Sequence, residues 1–203
     1  MSPLLLVGAG GHAHACIDVI EQAGGYAITG VVGCPKEVGQ NVLGYPVIGS
    51  DPGLAALKAA CPNALVTVGQ IKSPDLRIRL FDLLVGLGFN LPIIVSPLAH
   101  VSRHASLGAG SIVMHGAIIN AGARIGNNCI INSQALVEHD VRIADHCHIS
   151  TGTRVNGGAV VGTGSFIGSG SILREGIQLG ERCVVGMGLA VRNNQPAHTW
   201  ILQ

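Results

Sequence analysis

The segment between Asn132 and Gly157 contains three histidines, and one of them, His139, is followed directly by Asp140. A carboxylate beside an imidazole can fix the tautomer of the ring and stabilise its protonated form, which suits a general base near neutral pH. Such a base contributes typically ~10²–10⁴-fold in rate. The same two residues could instead form an ordinary solvated pair at the surface, and the spacing alone leaves both interpretations open.

A second pattern lies near the start of the chain, where a short apolar run ends in a glycine-rich loop: Gly8, Gly10, Gly11 and His12. Glycines in such a loop allow backbone N–H groups and a helix N-terminus to approach a phosphate. A dinucleotide site would also place an acid about 20 residues further on, to hold the ribose. The chain has Gly33 and Cys34 there, and the nearest acid is Glu37. This counts against NAD and favours a shorter ligand, such as a nucleotide-sugar diphosphate, although the glycines could also form only a tight turn.

The elements that must position these groups are predicted by a repeat of six residues. Every sixth residue is a branched aliphatic at 17 positions: Val95, Val101, Leu107, Val113, Ile119, Ile125, Ile131, Val137, Ile143, Ile149, Val155, Val161, Ile167, Leu173, Leu179, Val185 and Val191. The residue four places later is usually small, and glycine recurs with a period of 18. Strict hexapeptides indicate a parallel β-helix, and three of them form one triangular coil. We therefore predict about five coils of a left-handed parallel β-helix.

The first 94 residues alternate between strand and helix patterns, which predicts a small Rossmann-like parallel sheet. We expect strands at 4–7, 27–32, 64–68 and 91–95. Helices are expected from the glycine loop to about Gln22, from a Ser50 cap to Ala60, and from Ser73 to Leu87. Two domains follow, an α/β domain at residues 1–94 and the β-helix at residues 95–203.

The two chemically interesting histidines fall on different sides of the predicted prism. His148 lies nine residues, or half a coil, after His139. If both serve one site, neighbouring subunits must supply them, so the spacing predicts an oligomer, most simply a threefold one.

Composition excludes several classes of function. The formal net charge is +1 and charged residues make up only 11% of the chain, which gives no electrostatic signal for binding nucleic acid or a membrane surface. No apolar run reaches the length of a spanning helix, and no signal peptide is recognised, so we expect a cytoplasmic protein. Three of the six cysteines share the small inward position of the repeat, and none forms a CxxC motif, so neither disulfides nor a metal site is expected.

The combination of GAGGHA, hexapeptide repeats and VEHDVRIADHCHIS resembles the bacterial nucleotide-sugar acetyltransferases. This group includes sialic-acid O-acetyltransferases and N-acetyltransferases of 4-amino-dideoxy sugars. The resemblance covers nearly the whole chain. It implies a homotrimer that binds the sugar nucleotide on its N-terminal domain and acetyl-CoA between adjacent β-helices, without a metal.

The resemblance also implies roles for individual residues. His139 resembles the general base and Asp140 the carboxylate that orients it, with Asn132 as an active-site asparagine. The residues implied near acetyl-CoA are His148, close to the thioester carbonyl, Gly157 and Ser169. The residues implied for the nucleotide sugar are Gly8, Gly10, Gly11, His12, Gly69 and Arg77.

The function that follows is direct transfer of acetyl from acetyl-CoA to the amino group of a nucleotide-linked amino-dideoxy sugar, with His148 polarising the thioester. Alternatives are acetylation of a sugar hydroxyl, or nucleotide-sugar binding without catalysis.

Two departures from the family are the missing acidic pair at Gly33-Cys34 and the end of the chain at Gln203. Because of these departures, the resemblance does not predict which residues contact the ribose or the adenine end of CoA.

Overall fold

A computed structural model describes all residues from Met1 to Gln203. The N-terminal part is an α/β unit with a five-stranded sheet in the order β3-β4-β2-β1-β5. Strands β1, β2, β4 and β5 are parallel, and β3 forms an antiparallel hairpin with β4. The element bounds are β1 Ser2–Val7, α1 Gly11–Ala23, β2 Tyr26–Val32, β3 Asn41–Val42, β4 Tyr45–Gly49, α2 Leu54–Leu57, β5 Asn63–Val66 and α3 Asp75–Gly86.

The central strand β1 is an uninterrupted apolar run because helices or the β-helix cover both faces of the sheet. Leu4 and Leu6 pack in one core cluster with α1, whereas Leu5 and Val7 pack in another with α3. This is the pattern expected of a parallel strand that is buried on both sides.

For this unit, two predictions need correction and one element was not predicted. Leu91–Val95 is not a fourth strand of the sheet: Asn90 forms only an isolated bridge to Asn63, and Ile94–Val95 begins the β-helix. The β3–β4 hairpin was not predicted, because its strands are short and lie between glycines. The second helix is a single turn preceded by a 3-10 turn, and the side chain of Ser50 makes no capping hydrogen bond.

From Ile94 onward the chain forms a three-sided parallel β-helix of two-residue strands. Face 1 contains β6 Ile94–Val95, β9 Ile112–Val113, β12 Ile130–Ile131, β15 His148–Ile149, β18 Phe166–Ile167, β21 Val184–Val185 and β23 Trp200–Ile201. Face 2 contains β7 His100–Val101, β10 Ile118–Ile119, β13 Leu136–Val137, β16 Arg154–Val155, β19 Ile172–Leu173 and β22 Ala190–Val191. Face 3 contains β8 Ser106–Leu107, β11 Arg124–Ile125, β14 Arg142–Ile143, β17 Val160–Val161 and β20 Gln178–Leu179.

The hexapeptide repeat determines the core of this prism. From Val113 to Val191 every predicted inward aliphatic is buried, and the inward small residues Cys129, Cys147 and Cys183 lie among them. Paired residues on adjacent coils are 18 apart, as in Ile130 with His148. The corners turn through residues with positive φ, of which Asp140 at 59° is one. The left-handed backbone at that corner presents His139 and Asp140 at the outer edge of the prism.

The α/β unit packs against face 1 of the β-helix. Ile94, Ile112, Met114 and Ile130 share a core cluster with apolar residues of α1 and the sheet. Polar contacts lie at both edges of this junction, where Nε2 of His115 donates to Asp18 at 2.8 Å and Arg182 donates to Asp75 at 2.7 Å. Faces 2 and 3, and the corner between them, point away from the α/β unit.

Candidate active site

A cavity of about 610 Å³ opens at the carboxyl ends of β1, β2 and β5, where the sheet order reverses. Ligands of open α/β sheets bind at such switch points. The loop from Gly8 to Gly10 forms one wall. Gly8 has φ +124°, and a Cβ there would lie 2.7 Å from the backbone nitrogen of Val68, so this position accepts only glycine.

The next two glycines have a different reason to be glycine. Gly10 precedes α1 and Gly11 begins it, and no atom lies within 4 Å of a Cβ placed on either residue. The fold therefore tolerates a larger residue at both positions. Open space beside unpaired amides at a helix N-terminus is what a bound phosphate requires.

His12 and Gly69 lie behind this loop, towards the β-helix. A Cβ on Gly69 would contact the Cβ of His12 at 3.4 Å. The His12 ring lies 6.3 Å from the ring of His148, and its Nε2 is buried without a hydrogen-bond partner. Burial, with smaller contributions from Arg77 and His148, lowers the pKa of His12 to about 3, so the ring is neutral.

His139 and Asp140 stand together at the corner between faces 2 and 3. The Nδ1 of His139 lies 3.0 Å from Oδ2 of Asp140, and both side chains are well exposed. This hydrogen bond raises the pKa of His139 and, with Nδ1 carrying the proton, leaves Nε2 as the free base. A Cβ on Gly157 would lie 2.6 Å from that Nε2, so the imidazole covers bare backbone of the next coil.

His148 does not occupy the position expected for a donor to a thioester. It is 6% exposed and faces the α/β unit. Its Nδ1 lies 2.6 Å from the carbonyl oxygen of Gln70, which cannot donate, so Nδ1 carries the proton. Its Nε2 then accepts from the amide of Asn132 at 3.1 Å. Burial lowers the pKa of His148 to about 4. Both ring nitrogens are therefore engaged within the chain, and the polarising role predicted for His148 does not fit.

Arg77 was predicted to bind the nucleotide sugar, but the structure places it beneath the domain junction. It is 1% exposed and does not line the cavity. Its guanidinium donates to the carbonyls of Val66 and Val68, and to both the carbonyl and the side-chain oxygen of Asn128. These bonds tie the end of β5 to a corner of the β-helix. The sequence could not show this, because Arg77 and Asn128 are 51 residues apart.

Ser169 lies at a different corner, between faces 1 and 2, where its hydroxyl contacts that of Ser150 at 2.9 Å. The backbone N–H groups of Gly157 and Ser169 make no hydrogen bond within the chain. They are thus available to a ligand lying along the prism. Gly157 and Ser169 occupy separate corners of the prism, so the two N–H groups do not lie side by side within one chain.

The sequence has no acid at the position expected for a ribose-binding residue, but the structure places one close to that position. Glu37 folds back through a 3-10 turn, Pro35–Glu37, and its carboxylate accepts the N–H of Cys34 at 2.7 Å. An acid therefore does stand at the end of β2, supplied three residues later than the sequence pattern anticipates. All six cysteines are free, and no group of three or more His, Cys, Asp or Glu side chains could hold a metal ion. No helix has the length and apolarity that a membrane span requires.

Comparisons with known proteins identify the family to which this chain belongs. Residues 3–83 match the model of the PglD N-terminal domain, residues 122–157 the bacterial transferase hexapeptide, and residues 158–192 the hexapeptide repeat of succinyl-transferase. A structure of perosamine N-acetyltransferase from Caulobacter crescentus, with CoA and GDP-perosamine, is 31% identical with a TM-score of 0.94. The match covers 100% of this chain and 94% of that one. The chain belongs to the bacterial nucleotide-sugar acetyltransferases.

Other solved structures are also similar to this chain. The acetyltransferase domain of PglB from Neisseria gonorrhoeae is 29% identical, with a TM-score of 0.90 and coverage of 98% and 96% of the two chains. WeeI from Acinetobacter baumannii, at 20% identity and a TM-score of 0.88, shares the fold. No curated protein sequence matches the chain. The matches confirm an α/β unit followed by a left-handed β-helix, and they make the protein an acyltransferase.

Proposed function

We propose that the protein transfers acetyl from acetyl-CoA to the amino group of a nucleotide-linked amino-dideoxy sugar. The observation that supports this best is the pairing of His139 with Asp140 over the bare backbone of Gly157. The matched Caulobacter enzyme is a perosamine N-acetyltransferase, observed with CoA and GDP-perosamine. The cavity beside the glycine loop has the size and the open amides that a nucleoside diphosphate requires.

In the proposed reaction, the neutral sugar amine attacks the thioester carbonyl and passes a proton to Nε2 of His139. Asp140 stabilises the imidazolium that forms. The N–H of Gly157, which is unpaired and lies under the same imidazole, donates to the carbonyl oxygen as negative charge develops. The tetrahedral species then expels the thiol of CoA, which takes the proton back from His139. No acyl-enzyme is required, because both substrates can be bound together.

The site needs two copies of the chain. The cavity belongs to the α/β unit on face 1, whereas His139 lies at the corner between faces 2 and 3. Within one copy the prism separates the base from the nucleotide. We therefore propose that adjacent copies, in a closed threefold arrangement, bring the His139 corner of one to the cavity of another.

The decisive experiment measures acetyl transfer with His139→Ala. We expect kcat to fall by about 10²–10⁴-fold while acetyl-CoA still binds. Unchanged turnover would rule out His139 as the base. An acceptor panel of amino and hydroxy forms of the same nucleotide sugar separates N- from O-acetylation.

Mixing two inactive variants tests the shared site. Gly10→Ala should fold normally, since its Cβ would meet open space, but should block the phosphate; His139→Ala removes the base. In an equal mixture, about a quarter of the interfaces would combine an intact cavity with an intact base. Recovered activity is expected after the copies exchange. A mixture as inactive as its components would show that base and cavity act within one copy.

A further inference from the structure

Three arginines of the β-helix lie near His139 and have no carboxylate partner. Arg124 and Arg142 are directly paired on adjacent coils of face 3, and both are exposed. Neither forms an ion pair, and Arg103 donates only to the ring of His104. Like charges opposite each other on neighbouring strands destabilise a sheet. The arginine pair therefore does not serve the fold, and its geometry suits the binding of an anion.

These arginines line a depression that reaches the candidate base. A space of about 470 Å³ is bounded by Arg103, Arg124 and Asp140. A second space, of about 280 Å³, lies further along face 3 between Arg124 and Arg142. Asp140 is the only carboxylate that lines either space, and it is already hydrogen-bonded to His139. The depression is thus positively charged, and one of its walls is the group that orients the base.

The cavity beside the glycine loop, in contrast, has no free cation. Its lining contains two carboxylates, Glu37 and Asp51, and one cation, Arg79. Arg79 is paired with Asp51 at 3.0 Å, which leaves the negative charge of Glu37 uncompensated. The loop amides supply only partial positive charge to a phosphate. A diphosphate bound there therefore still requires a positive charge from outside the cavity.

The covalent structure of the acceptor brings its diphosphate close to the arginines. When the sugar amine contacts Nε2 of His139, a single sugar ring separates that amine from the nearer phosphate. Adjacent coils are about 4.8 Å apart, so two coils span roughly 10 Å, which exceeds the length of one ring. Arg142 follows His139 on the same coil, and Arg124 is paired with it one coil earlier. Both side chains can therefore reach a phosphate on the amino-terminal side of the base.

The other side of His139 suits the acyl donor. The unpaired N–H groups of Gly157 and Ser169 lie on later coils, towards the carboxyl end of the prism. A pantetheine arm that uses these groups runs away from Arg124 and Arg142. The amino-terminal side of the base is thus left for the sugar nucleotide.

We propose that Arg124 and Arg142 of one copy bind the diphosphate of the nucleotide sugar held in the cavity of the adjacent copy, with Arg103 adding to the same positive charge. This inference rests on the proposed function, because it requires a nucleotide sugar in the cavity and a site shared between copies. The diphosphate is then bound from two sides, by loop amides of one copy and by guanidinium groups of the other. The copy that supplies the base therefore also selects the acceptor: a sugar carried by a nucleoside diphosphate, not a sugar monophosphate.

The test measures the binding of GDP, UDP, GMP and UMP by calorimetry. We expect at least one diphosphate to bind the unaltered protein, and to bind Arg124→Gln/Arg142→Gln about 10–100-fold more weakly. The corresponding monophosphate should lose less than about 3-fold, because it lacks the phosphate next to the sugar. Arg124→Lys/Arg142→Lys keeps both charges and should recover part of the affinity. Arg174→Gln/Arg192→Gln is the matched control and should bind the diphosphate as tightly as the unaltered protein, since these exposed arginines lie beyond His139 towards the carboxyl end.

Thermal unfolding without ligand separates a binding role from a structural one. Because Arg124→Gln/Arg142→Gln removes two like charges that face each other, its Tm should equal or exceed that of the unaltered protein. A large fall in Tm together with weaker binding would assign the arginines to the fold and overturn the inference.

A mixture of variants tests whether the arginines act on the adjacent copy. Arg124→Gln/Arg142→Gln keeps an intact cavity, whereas Gly10→Ala keeps the arginines and loses the phosphate site. After the copies exchange, the mixture should contain a class of tight GDP or UDP sites that neither variant has alone. The absence of that class would place the arginines and the cavity in the same copy, against the proposal.

The remaining outcomes separate the two proposals. If diphosphates bind Arg124→Gln/Arg142→Gln as tightly as the unaltered protein, the role of the arginines is wrong while nucleotide binding and the proposed function stand. If CoA loses affinity in this variant and GDP and UDP do not, the depression holds the diphosphate of CoA and the inference is overturned. If none of the four nucleotides binds the unaltered protein, the inference and the proposed function fail together.

Discussion

At the scale of single residues, the proposed chemistry depends on one imidazole and on the backbone beneath it. His139 gains its orientation from Asp140, and the absence of a side chain at Gly157 lets the ring lie over the next coil. Both features come from a corner where the chain turns through left-handed φ at Asp140. The side chains of His139 and Asp140 hydrogen-bond only to each other, so each can be altered with little effect on folding.

Asp140→Asn should shift the pH dependence of the reaction. The base must be neutral to act, so kcat/KM falls as the pH drops below the pKa of His139. Asp140 raises that pKa, mainly through its hydrogen bond. Removing the charge should lower the pKa and move the acid limb of the profile to lower pH, with a smaller plateau from a weaker base. A pH series of kcat/KM checks this; an acid limb that stays in place would assign it to another group.

Gly157→Ala should reduce activity by about 10–100-fold without unfolding the protein. The new Cβ would lie 2.6 Å from Nε2 of His139, so the ring must move away from the site of proton transfer. Gly86→Ala is the matched control, since its Cβ meets nothing within 4 Å and it lies in a helix. Steady-state kinetics and thermal unfolding of both variants make the comparison. Full activity in Gly157→Ala would mean that the ring position is unimportant.

At the scale of elements, the junction between the α/β unit and face 1 contains a buried cation without a counter-ion. Burial lowers the pKa of Arg77 to about 10, and carbonyl and amide oxygens satisfy its guanidinium in place of a carboxylate. Its Nε has no partner. The end of β5 and the corner at Asn128 both contact this one side chain.

Arg77→Met should destabilise the protein by about 3 kcal/mol, because four carbonyl and amide oxygens lose their donor in a buried place. Arg79→Met, on the same helix, removes a partly exposed ion pair and should cost less than ~1 kcal/mol. Denaturant unfolding of the two variants provides the measurement. Equal losses would show that the interdomain hydrogen bonds contribute little.

The β-helix could be predicted from the sequence, whereas the junction could not. Each hexapeptide carries its own inward aliphatic, so the information is local and repeated. The glycine loop could be predicted for the same reason, because the strand, glycines and helix are adjacent in the chain. Arg77, Gln70 and Glu37 take their roles from contacts across the fold or from a local turn that no periodicity marks. The resemblance to the family implied roles for His139 and Asp140 that are compatible with their geometry. The role that it implied for Arg77 does not fit the burial of that side chain.

At the scale of the whole molecule, two buried neutral histidines link stability to pH. The pKa values of His12 and His148 in the folded protein are about 3 and about 4. In the unfolded chain an imidazole titrates near 6.5. The unfolded state therefore binds more protons between these values, and stability is complete above about pH 6.5 and is lost as the pH falls towards 4.

His148→Gln should flatten this dependence. A glutamine amide can donate to the carbonyl of Gln70 and accept from Asn132, but it does not titrate. The variant should lose less stability between pH 7 and pH 4 than the unaltered protein, by up to about 3 kcal/mol. Thermal unfolding across this range measures the difference. Parallel curves would show that His148 is protonated equally in the folded and unfolded states.

The repeating coils also affect how the protein can change in length. Each coil forms its inter-strand backbone hydrogen bonds with the coils before and after it, and the last hydrogen bond between the α/β unit and the β-helix is at Arg182. A second copy of residues 173–190, placed directly after Ala190, would extend the prism and keep its register. The glycine loop and the His139 corner would stay where they are. Length at the carboxyl end is thus free to vary in this architecture, while the proposed chemistry is confined to the earlier coils.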